Sequence, residues 1–293
     1  MSGLRTILAL SRVSRLPTVW SNCLAGWWLG GGGNPGHLPF LFGGATFLYL
    51  GAALLNDAFD AEHDLQHRRT RPIPSGAVTQ DTVWRWGLAA LVGGALLLLW
   101  PGRVTGGFGL TLAFLIILYN TVHRLVTFSP VLKGLCRFLV YVLGASTGEH
   151  GVTGAALWCG LALGAYVTGM RWFARWEETP RRVREWPGLL LAVPVLLALL
   201  MDVGRYREPA LLLSAVLVLW GLLALRQTFW APERNVPRTV ARLVAGIVLV
   251  DWLATGPVAS VFDLSNHVPR GLSFAFIGLL LGTLLLQKFA PEA

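Results

Sequence analysis

Three aspartates at regular spacing stand in the most acidic stretch of the chain. Asp57, Asp60 and Asp64 follow a long apolar segment, three and four residues apart. If that segment continues as a helix, the three side chains project from one face and their charges repel each other. A divalent cation relieves such repulsion. Oxygen ligands without a cysteine suit a hard ion such as Mg²⁺, whose coordination is commonly completed by substrate phosphates.

The acidic stretch runs into a basic segment that contains two prolines, Arg68-Arg69-Thr70-Arg71-Pro72-Ile73-Pro74-Ser75-Gly76. Guanidinium groups bind phosphate oxygens in a planar, two-pronged geometry. We therefore expect arginines of this segment to bind the phosphate oxygens that the metal leaves free. His63 and His67 are spaced like zinc ligands on a helix, but no third nitrogen or sulfur ligand is near in sequence, which favours solvated histidines.

A second charged segment follows the sixth apolar run of the chain. It contains Arg171, Arg175, Glu177 and Glu178, followed by a proline and two further arginines. The order of an apolar helix, acids and then arginines near a proline repeats that of the first segment. Both segments end apolar runs that are four apart, so they lie on the same side of a membrane. This weak repeat predicts two half-sites that face one cavity.

Several polar residues lie within or beside apolar runs, and each has more than one interpretation. Asn22 either binds the substrate or forms an interhelical hydrogen bond, because an unpaired amide is costly in lipid. Arg124 and Lys133 either orient the protein in the membrane or bind the substrate. Arg137 lies inside a helix, where a charge needs a partner or an anionic ligand. Asp251 has three interpretations: it is paired with an arginine, it lies near the outer interface, or it belongs to a functional path.

The composition of the chain is that of a membrane protein. Hydrophobic residues make up 54% of the 293 residues and charged residues only 13%, which is too apolar for a soluble domain of this size. The net charge of +9 is spread through short loops, which favours membrane orientation over nucleic-acid binding. Ten apolar runs lie at about 16–30, 38–56, 83–101, 104–120, 134–148, 153–173, 187–203, 209–228, 239–260 and 271–290.

The basic residues predict how these runs cross the membrane. With the N-terminus in the cytoplasm, the only lysines and arginines on the outer side are Arg103, Arg205, Arg207 and Arg270, as expected from the positive-inside rule. Gly26 and Gly30 form a small-xxx-small pair, which is typical of close helix contacts in lipid. The cysteines lie in apolar runs without metal-ligand spacing and are expected to pack between helices. We expect one domain over residues 1–293.

The sequence Asn-Asp-x-x-Asp-x-x-x-Asp, followed by Arg-Pro-Ile-Pro-Ser-Gly, resembles the first aspartate-rich motif of the UbiA superfamily of membrane prenyltransferases. The likeness covers most of the chain. It implies an all-α, polytopic transmembrane helix bundle, of nine spans or the ten counted above, around a central cavity open to the cytoplasmic side. It also implies a prenyl diphosphate held through Mg²⁺ on two aspartate-rich loops, and transfer of the isoprenoid group to a lipophilic or aromatic acceptor.

The resemblance assigns roles to individual residues. The implied metal ligands are Asn56, Asp57, Asp60 and Asp64. The residues implied in catalysis are Asp57, Asp60, Asp64, Tyr119 and Arg175. Those implied in substrate binding are Asn22, Asn56, Arg68, Arg71, His123, Arg124, Lys133, Arg137, Arg171, Glu177 and Glu178. The aromatic faces expected either to stabilise an allylic cation or to pack between helices are Tyr119, Tyr141, Trp172 and Phe173.

The second charged segment departs from the family's pattern. UbiA enzymes usually carry Asp-x-x-x-Asp there, whereas this chain has Glu177 and Glu178 beside Arg171 and Arg175. This segment resembles a bacterial subgroup, the EboC-like proteins, which is associated with export of metabolite precursors. The resemblance thus implies a multi-pass prenyltransferase of the cell inner membrane with a cytoplasmic N-terminus. The alternative is a non-catalytic membrane carrier or lipid-binding protein that takes part in such export.

Overall fold

The computed structural model describes residues 6, 10–175, 186–201, 207–231, 234–258 and 270–289. Within these ranges the chain forms eleven α-helices and no strands, so the predicted all-α class is confirmed. The helices are α1 Leu16–Leu29, α2 Leu38–Phe59, α3 Ala61–His67, α4 Gln80–Leu97, α5 Arg103–Val122, α6 Ser129–Ala145, α7 Gly154–Arg175, α8 Val193–Met201, α9 Arg207–Phe229, α10 Val236–Leu253 and α11 Arg270–Phe289.

Where the structure describes them, all ten apolar runs fall on helical structure. The run at 187–203 is less regular than the others, because a 3₁₀ helix, Trp186–Ala192, precedes the short helix α8. Pro187 and Pro194 supply no N–H donor to a helix there, which favours such a break. In the described part of the chain, five segments are long and apolar enough to cross a membrane: Pro35–Phe59, Arg103–Val122, Arg207–Phe229, Val236–Gly256 and Gly271–Phe289.

Helix α1 belongs to two hydrophobic cores at once. Val19 and Cys23 pack into a first core with residues of α2, α4, α5 and α6. Leu24 and Leu29 pack into a second core with residues of α6 to α11. Helix α6 contributes to both cores in the same way, for example through Leu143 and Tyr141. Polar side chains on α1 and α6 are therefore placed to connect the two halves of the bundle.

Glycines bring α1 and α6 into backbone contact. A Cβ atom added to Gly26 would overlap the carbonyl oxygen of Tyr141, and one added to Gly30 would overlap that of Ala145. From the opposite helix, Gly144 faces the backbone of α1 equally closely. The predicted small-xxx-small pair thus forms a close helix contact, as such pairs do in lipid.

Gly26→Ala is expected to lower the thermal midpoint of the purified protein in detergent. The new methyl group meets backbone, which cannot rotate away, and overpacking of this kind typically costs about 1–3 kcal/mol. Gly107→Ala is the matched control, because that glycine also lies within a helix and a Cβ there meets nothing within 4 Å. Its midpoint should stay unchanged or rise, since alanine is the better helix former. Equal effects at both positions would contradict the close contact.

Candidate functional site

The acidic stretch lies at the junction of α2 and α3, and the helical phase continues through it. The backbone N–H of Asp60 donates to the carbonyl of Asn56 at 3.0 Å, and that of Asp64 donates to the carbonyl of Asp60 at 2.9 Å. The three aspartates of the motif are buried, at 7% exposure for Asp57, 6% for Asp60 and 2% for Asp64. Buried carboxylates need charged partners, because desolvation of an ion is costly.

Asp57 and Asp64 share one arginine. Nη1 of Arg71 lies 2.7 Å from Oδ2 of Asp64 and 3.8 Å from Oδ1 of Asp57. A second guanidinium, that of Arg12, donates to the same oxygen of Asp57. These two carboxylates therefore lie on one face of the junction, as the spacing predicts, and cations draw them together.

Asp60 is directed towards the end of α5 instead. Its Oδ1 lies 2.6 Å from Nε of Arg124 and 3.1 Å from Nε2 of His123. Burial raises the pKa of Asp60, but hydrogen bonds from His123 and Arg124 outweigh it and hold this pKa below the usual value. A depressed carboxyl pKa stabilises the folded state at pH values above the unfolded pKa, so this contribution is lost only as the pH falls below about 4.

The proline-containing turn after α3 fixes Arg71. The N–H of Ser75 donates to the carbonyl of Arg71 at 2.9 Å, and the N–H of Ala77 donates to that of Pro72 at 3.0 Å. Gly76 closes the turn with φ of +75°, in the left-handed region that favours glycine. The sequence Arg-Pro-x-Pro-Ser-Gly therefore acts as a rigid support for the arginine that joins Asp57 to Asp64.

Tyr119, near the end of α5, is contacted by cationic side chains from two other helices. Nζ of Lys133 on α6 lies 4.7 Å from the centre of the tyrosine ring. Nη2 of Arg171 on α7 lies 3.4 Å from the hydroxyl oxygen. The ring of His123, which contacts Asp60, stacks on Tyr119 with centroids 5.3 Å apart. Lys133 and Arg171 have no carboxylate partner among the residues described, which leaves their charges available to an anion.

The free carboxylate oxygens suit a hard metal ion. Oδ2 of Asp57 and Oδ1 of Asp64 have no hydrogen-bond or ionic partner within the described ranges. The described residues contain no group of three His, Cys, Asp or Glu side chains that converges as a metal cluster. Mg²⁺ commonly uses only one or two carboxylates and takes its other ligands from water and substrate phosphates. The donor set at Asp57 and Asp64 therefore fits this ion.

Other residues that the sequence singled out have varied positions. Asn56 points its amide towards Oδ2 of Asp60 at 3.4 Å. Arg68 is exposed at the end of α3. Arg175 donates to the backbone carbonyls of Thr127 at 2.7 Å and Val126 at 3.5 Å, so it holds the loop after α5. Glu177 and Glu178 lie outside the described residues.

Three of the candidates belong to a separate, deeper network. Asn22 is fully buried and bonds to both Asp251 and Arg137. Tyr141 is also fully buried, and its hydroxyl donates to Asp251. Packing encloses the ring of Tyr141, which is the second of the two interpretations of this residue, packing between helices. Asn22 makes the interhelical hydrogen bond that was one of its two interpretations.

Arg12 is a site residue that sequence reasoning missed. In the sequence it is one of three arginines before the first apolar run, with no motif around it. In the structure it adopts φ of +44°, the only positive value for a non-glycine residue in the described ranges, which is a costly conformation. Its carbonyl accepts hydrogen bonds from the hydroxyl of Tyr49 at 2.8 Å and from the N–H of Arg15 at 3.1 Å. This turn places the guanidinium against Asp57.

Comparison with known proteins identifies the family and the fold of the chain. The model of the UbiA prenyltransferase family matches residues 16–247. No curated protein matches the chain. A solved structure of digeranylgeranylglyceryl phosphate synthase has a TM-score of 0.59 and 16% sequence identity over 98% of this chain and 100% of that one. The apo structure of a UbiA homolog from Aeropyrum pernix K1 has a TM-score of 0.50 and 15% identity over 98% and 99%.

The two structures, at these identities, show a shared fold. The family match spans most of the chain and includes the aspartate motif, the turn at Arg71, and the residues around Tyr119 and Arg171. The chain is thus a multi-pass membrane protein, and it belongs to the UbiA prenyltransferase family.

Proposed function

We propose that this protein transfers an isoprenoid group from a prenyl diphosphate to a lipophilic or aromatic acceptor within the membrane. One observation carries the proposal. Lys133 and Arg171 converge on Tyr119 without carboxylate partners in the described part of the chain, next to buried aspartates that are themselves paired with cations. A surplus of positive charge around a few free carboxylate oxygens suits a diphosphate bound together with a divalent cation.

Each residue of the candidate site would have a separate role in such a transfer reaction. Asp57 and Asp64 would hold Mg²⁺, which when bound stabilises the negative charge that develops on the departing diphosphate. Arg71 keeps the two carboxylates together and supplies a further positive charge. Lys133 and Arg171 offer N–H donors to the phosphate oxygens, and Tyr119 holds both of these cations in position. Surrounding helices exclude water from the reactive allylic group.

The orientation and subgroup are part of the same proposal. The excess of lysine and arginine on one side of the predicted spans supports a cytoplasmic N-terminus in the inner membrane. The site would then open to the cytoplasm, where a soluble diphosphate is accessible, and one domain would cover residues 1–293. The EboC-like likeness of the second charged segment stays a proposal, supported by the motif that includes Glu177 and Glu178.

A transfer assay tests the proposal directly. Purified protein with Mg²⁺, labelled farnesyl or geranylgeranyl diphosphate and a panel of lipophilic acceptors should release pyrophosphate and form a prenylated product. The same assay without Mg²⁺ should show little product, because the leaving group then lacks part of its charge stabilisation. Prenyl diphosphate that is neither bound nor consumed under any of these conditions would refute the proposal.

One observation also supports a second function, that of a non-catalytic carrier. Each aspartate of the motif already has an arginine partner, Arg12 and Arg71 at Asp57, Arg71 at Asp64, and Arg124 at Asp60. A site neutralised in this way suits a carrier that holds a phosphorylated lipid without cleaving it. Such a carrier would bind the labelled diphosphate in the same assay but release no pyrophosphate.

A further inference from the structure

A buried polar network surrounds Asp251, deep in the bundle and apart from the aspartate motif. Asp251 lies on α10 and is 0% exposed. Its Oδ2 accepts hydrogen bonds from Nδ2 of Asn22 at 2.7 Å and from the hydroxyl of Ser21, and its Oδ1 accepts one from the hydroxyl of Tyr141 at 2.6 Å. Three donors from α1 and α6 thus converge on one carboxylate.

Arg137, on α6, approaches the same network from the other side. Its Nη1 donates to Oδ1 of Asn22 and, at 3.1 Å, to the carbonyl of Thr18. Its Nη2 donates to the hydroxyl of Thr18 at 3.0 Å. No carboxylate in the described ranges contacts Arg137, and no cation there contacts Asp251 directly.

The amide of Asn22 lies between the two charges. Its oxygen faces the guanidinium and its nitrogen faces the carboxylate, so the orientation of the amide is fixed by both partners. The amide dipole is then aligned with the field between a cation and an anion, an arrangement that strengthens both hydrogen bonds. Asn22 therefore connects Arg137 and Asp251 as an amide-bridged ion pair.

This bridge also reaches the candidate site. Arg137 lies four residues after Lys133 on α6, so the two cations share a helix face one turn apart. Lys133 contacts the ring of Tyr119. Asp251, in contrast, belongs to α10, in the second half of the bundle. A charge in the second half is therefore connected to the cationic face of α6 in the first half.

We infer that Asp251 is the counter-charge and a positioning residue of Arg137, acting through the amide of Asn22. Loss of either charge leaves the other buried without compensation, whereas loss of both leaves a neutral, hydrogen-bonded network. The consequence of this pairing for substrate binding rests on the proposed function. With Asp251 in place, the face of α6 that carries Arg137 and Lys133 is held in a fixed position in which it can bind the diphosphate.

A double-mutant cycle on the full chain tests the pairing without any substrate. Asp251→Asn and Arg137→Gln are each expected to lower the thermal midpoint in detergent by about 5–10 °C. The double variant should recover most of that loss. If Asp251→Asn alone yields no folded protein, the recovery of folded protein in the double variant supports the pairing in the same way as a recovered thermal midpoint. Additive losses in the cycle, or no recovery, would overturn the inference.

Tyr166→Phe serves as the matched control. Tyr166 is a buried tyrosine whose hydroxyl donates to the carbonyl of Leu243 on α10, away from Asp251. Combined with Arg137→Gln, it should give an additive loss of the midpoint, because its hydrogen bond is independent of the ion pair. Tyr141→Phe removes a donor to Asp251 and should instead be coupled to Arg137→Gln.

A substrate-binding measurement distinguishes a positioning role of Asp251 from a role in protein stability alone. The readout is the concentration of farnesyl diphosphate, with Mg²⁺, that gives half of its maximal thermal stabilisation. Asp251→Asn should raise this concentration about tenfold, and in an Arg137→Gln background it should raise it no further. If the Asp251→Asn variant binds farnesyl diphosphate as tightly as the wild-type protein does, Asp251 is a counter-charge of Arg137 but not a positioning residue. That result would overturn the positioning part of the inference. If the wild-type protein itself shows no stabilisation, the proposed function fails, whereas the melting cycle still decides the pairing.

Discussion

Asp57→Asn and Asp64→Asn are each expected to lower the rate of prenyl transfer by at least about 100-fold. Asparagine keeps the size of the side chain but removes the charge, so a carboxylate oxygen that would bind Mg²⁺ becomes a weaker amide ligand. The free oxygens, Oδ2 of Asp57 and Oδ1 of Asp64, make these two positions the most sensitive of the motif. The measurement is initial rate against Mg²⁺ concentration, with labelled farnesyl diphosphate.

The control for these variants is Asp81→Asn. Asp81 is an exposed aspartate in the first turn of α4, close in sequence to the motif but without a cationic partner in the described ranges. Its rate should stay within about twofold of wild type, because exposed charges contribute little. Wild-type rates and an unchanged Mg²⁺ requirement in both motif variants would exclude the proposed metal ligands. A protein that binds diphosphate but never transfers it would instead support the carrier.

Local patterns in the sequence predicted the helices and the chemical type of the site. The ten apolar runs depend only on hydropathy along the chain, and the described residues of all ten lie mainly in helices. The turn from Arg71 to Gly76 depends on proline and glycine geometry, which is also local. The aspartate spacing predicted one face for Asp57, Asp60 and Asp64. Asp57 and Asp64 do share a face through Arg71, whereas Asp60 turns to Arg124 instead.

Contacts between distant segments were not predictable in the same way. Asp60 bonds to Arg124, 64 residues away, and Asp57 bonds to Arg12, 45 residues away. Which of many arginines reaches a given carboxylate depends on how the helices pack, and spacing along the chain carries no such information. The left-handed conformation of Arg12 is also invisible in sequence, because only glycine and a few polar residues favour it.

The same limit applies to the buried charges. Sequence alone allowed Asp251 to be paired, interfacial or functional, and Arg137 to need a partner or an anionic ligand. The structure brings them to opposite ends of one amide, because α1 and α6 contact through glycines, α10 packs on α1, and Tyr141 of α6 donates a hydrogen bond to Asp251 of α10. A three-helix arrangement decides that pairing, so no local pattern predicts it.

Arg71→Ala is expected to lower both the rate of transfer and the Mg²⁺ concentration that the protein requires. The rate of transfer should fall by about 10- to 100-fold, because a half-buried, hydrogen-bonded cation beside the proposed diphosphate site is lost. The Mg²⁺ concentration for half-maximal rate should also fall, since Asp57 and Asp64 lose a competing positive charge and attract a cation more strongly. A Mg²⁺ titration of the initial rate measures both quantities in one experiment.

Arg69→Ala provides the matched comparison for Arg71. Arg69 lies two residues earlier in the same turn, but it is exposed, and among the described residues it donates only to the carbonyl of Leu65 at 3.3 Å. Its replacement should change both quantities by less than about threefold. If Arg71→Ala lowers the rate without altering the Mg²⁺ requirement, Arg71 binds phosphate but does not share carboxylates with the metal. If Arg71→Ala matches Arg69→Ala in both quantities, the arginine only supports the turn, and the diphosphate lies elsewhere.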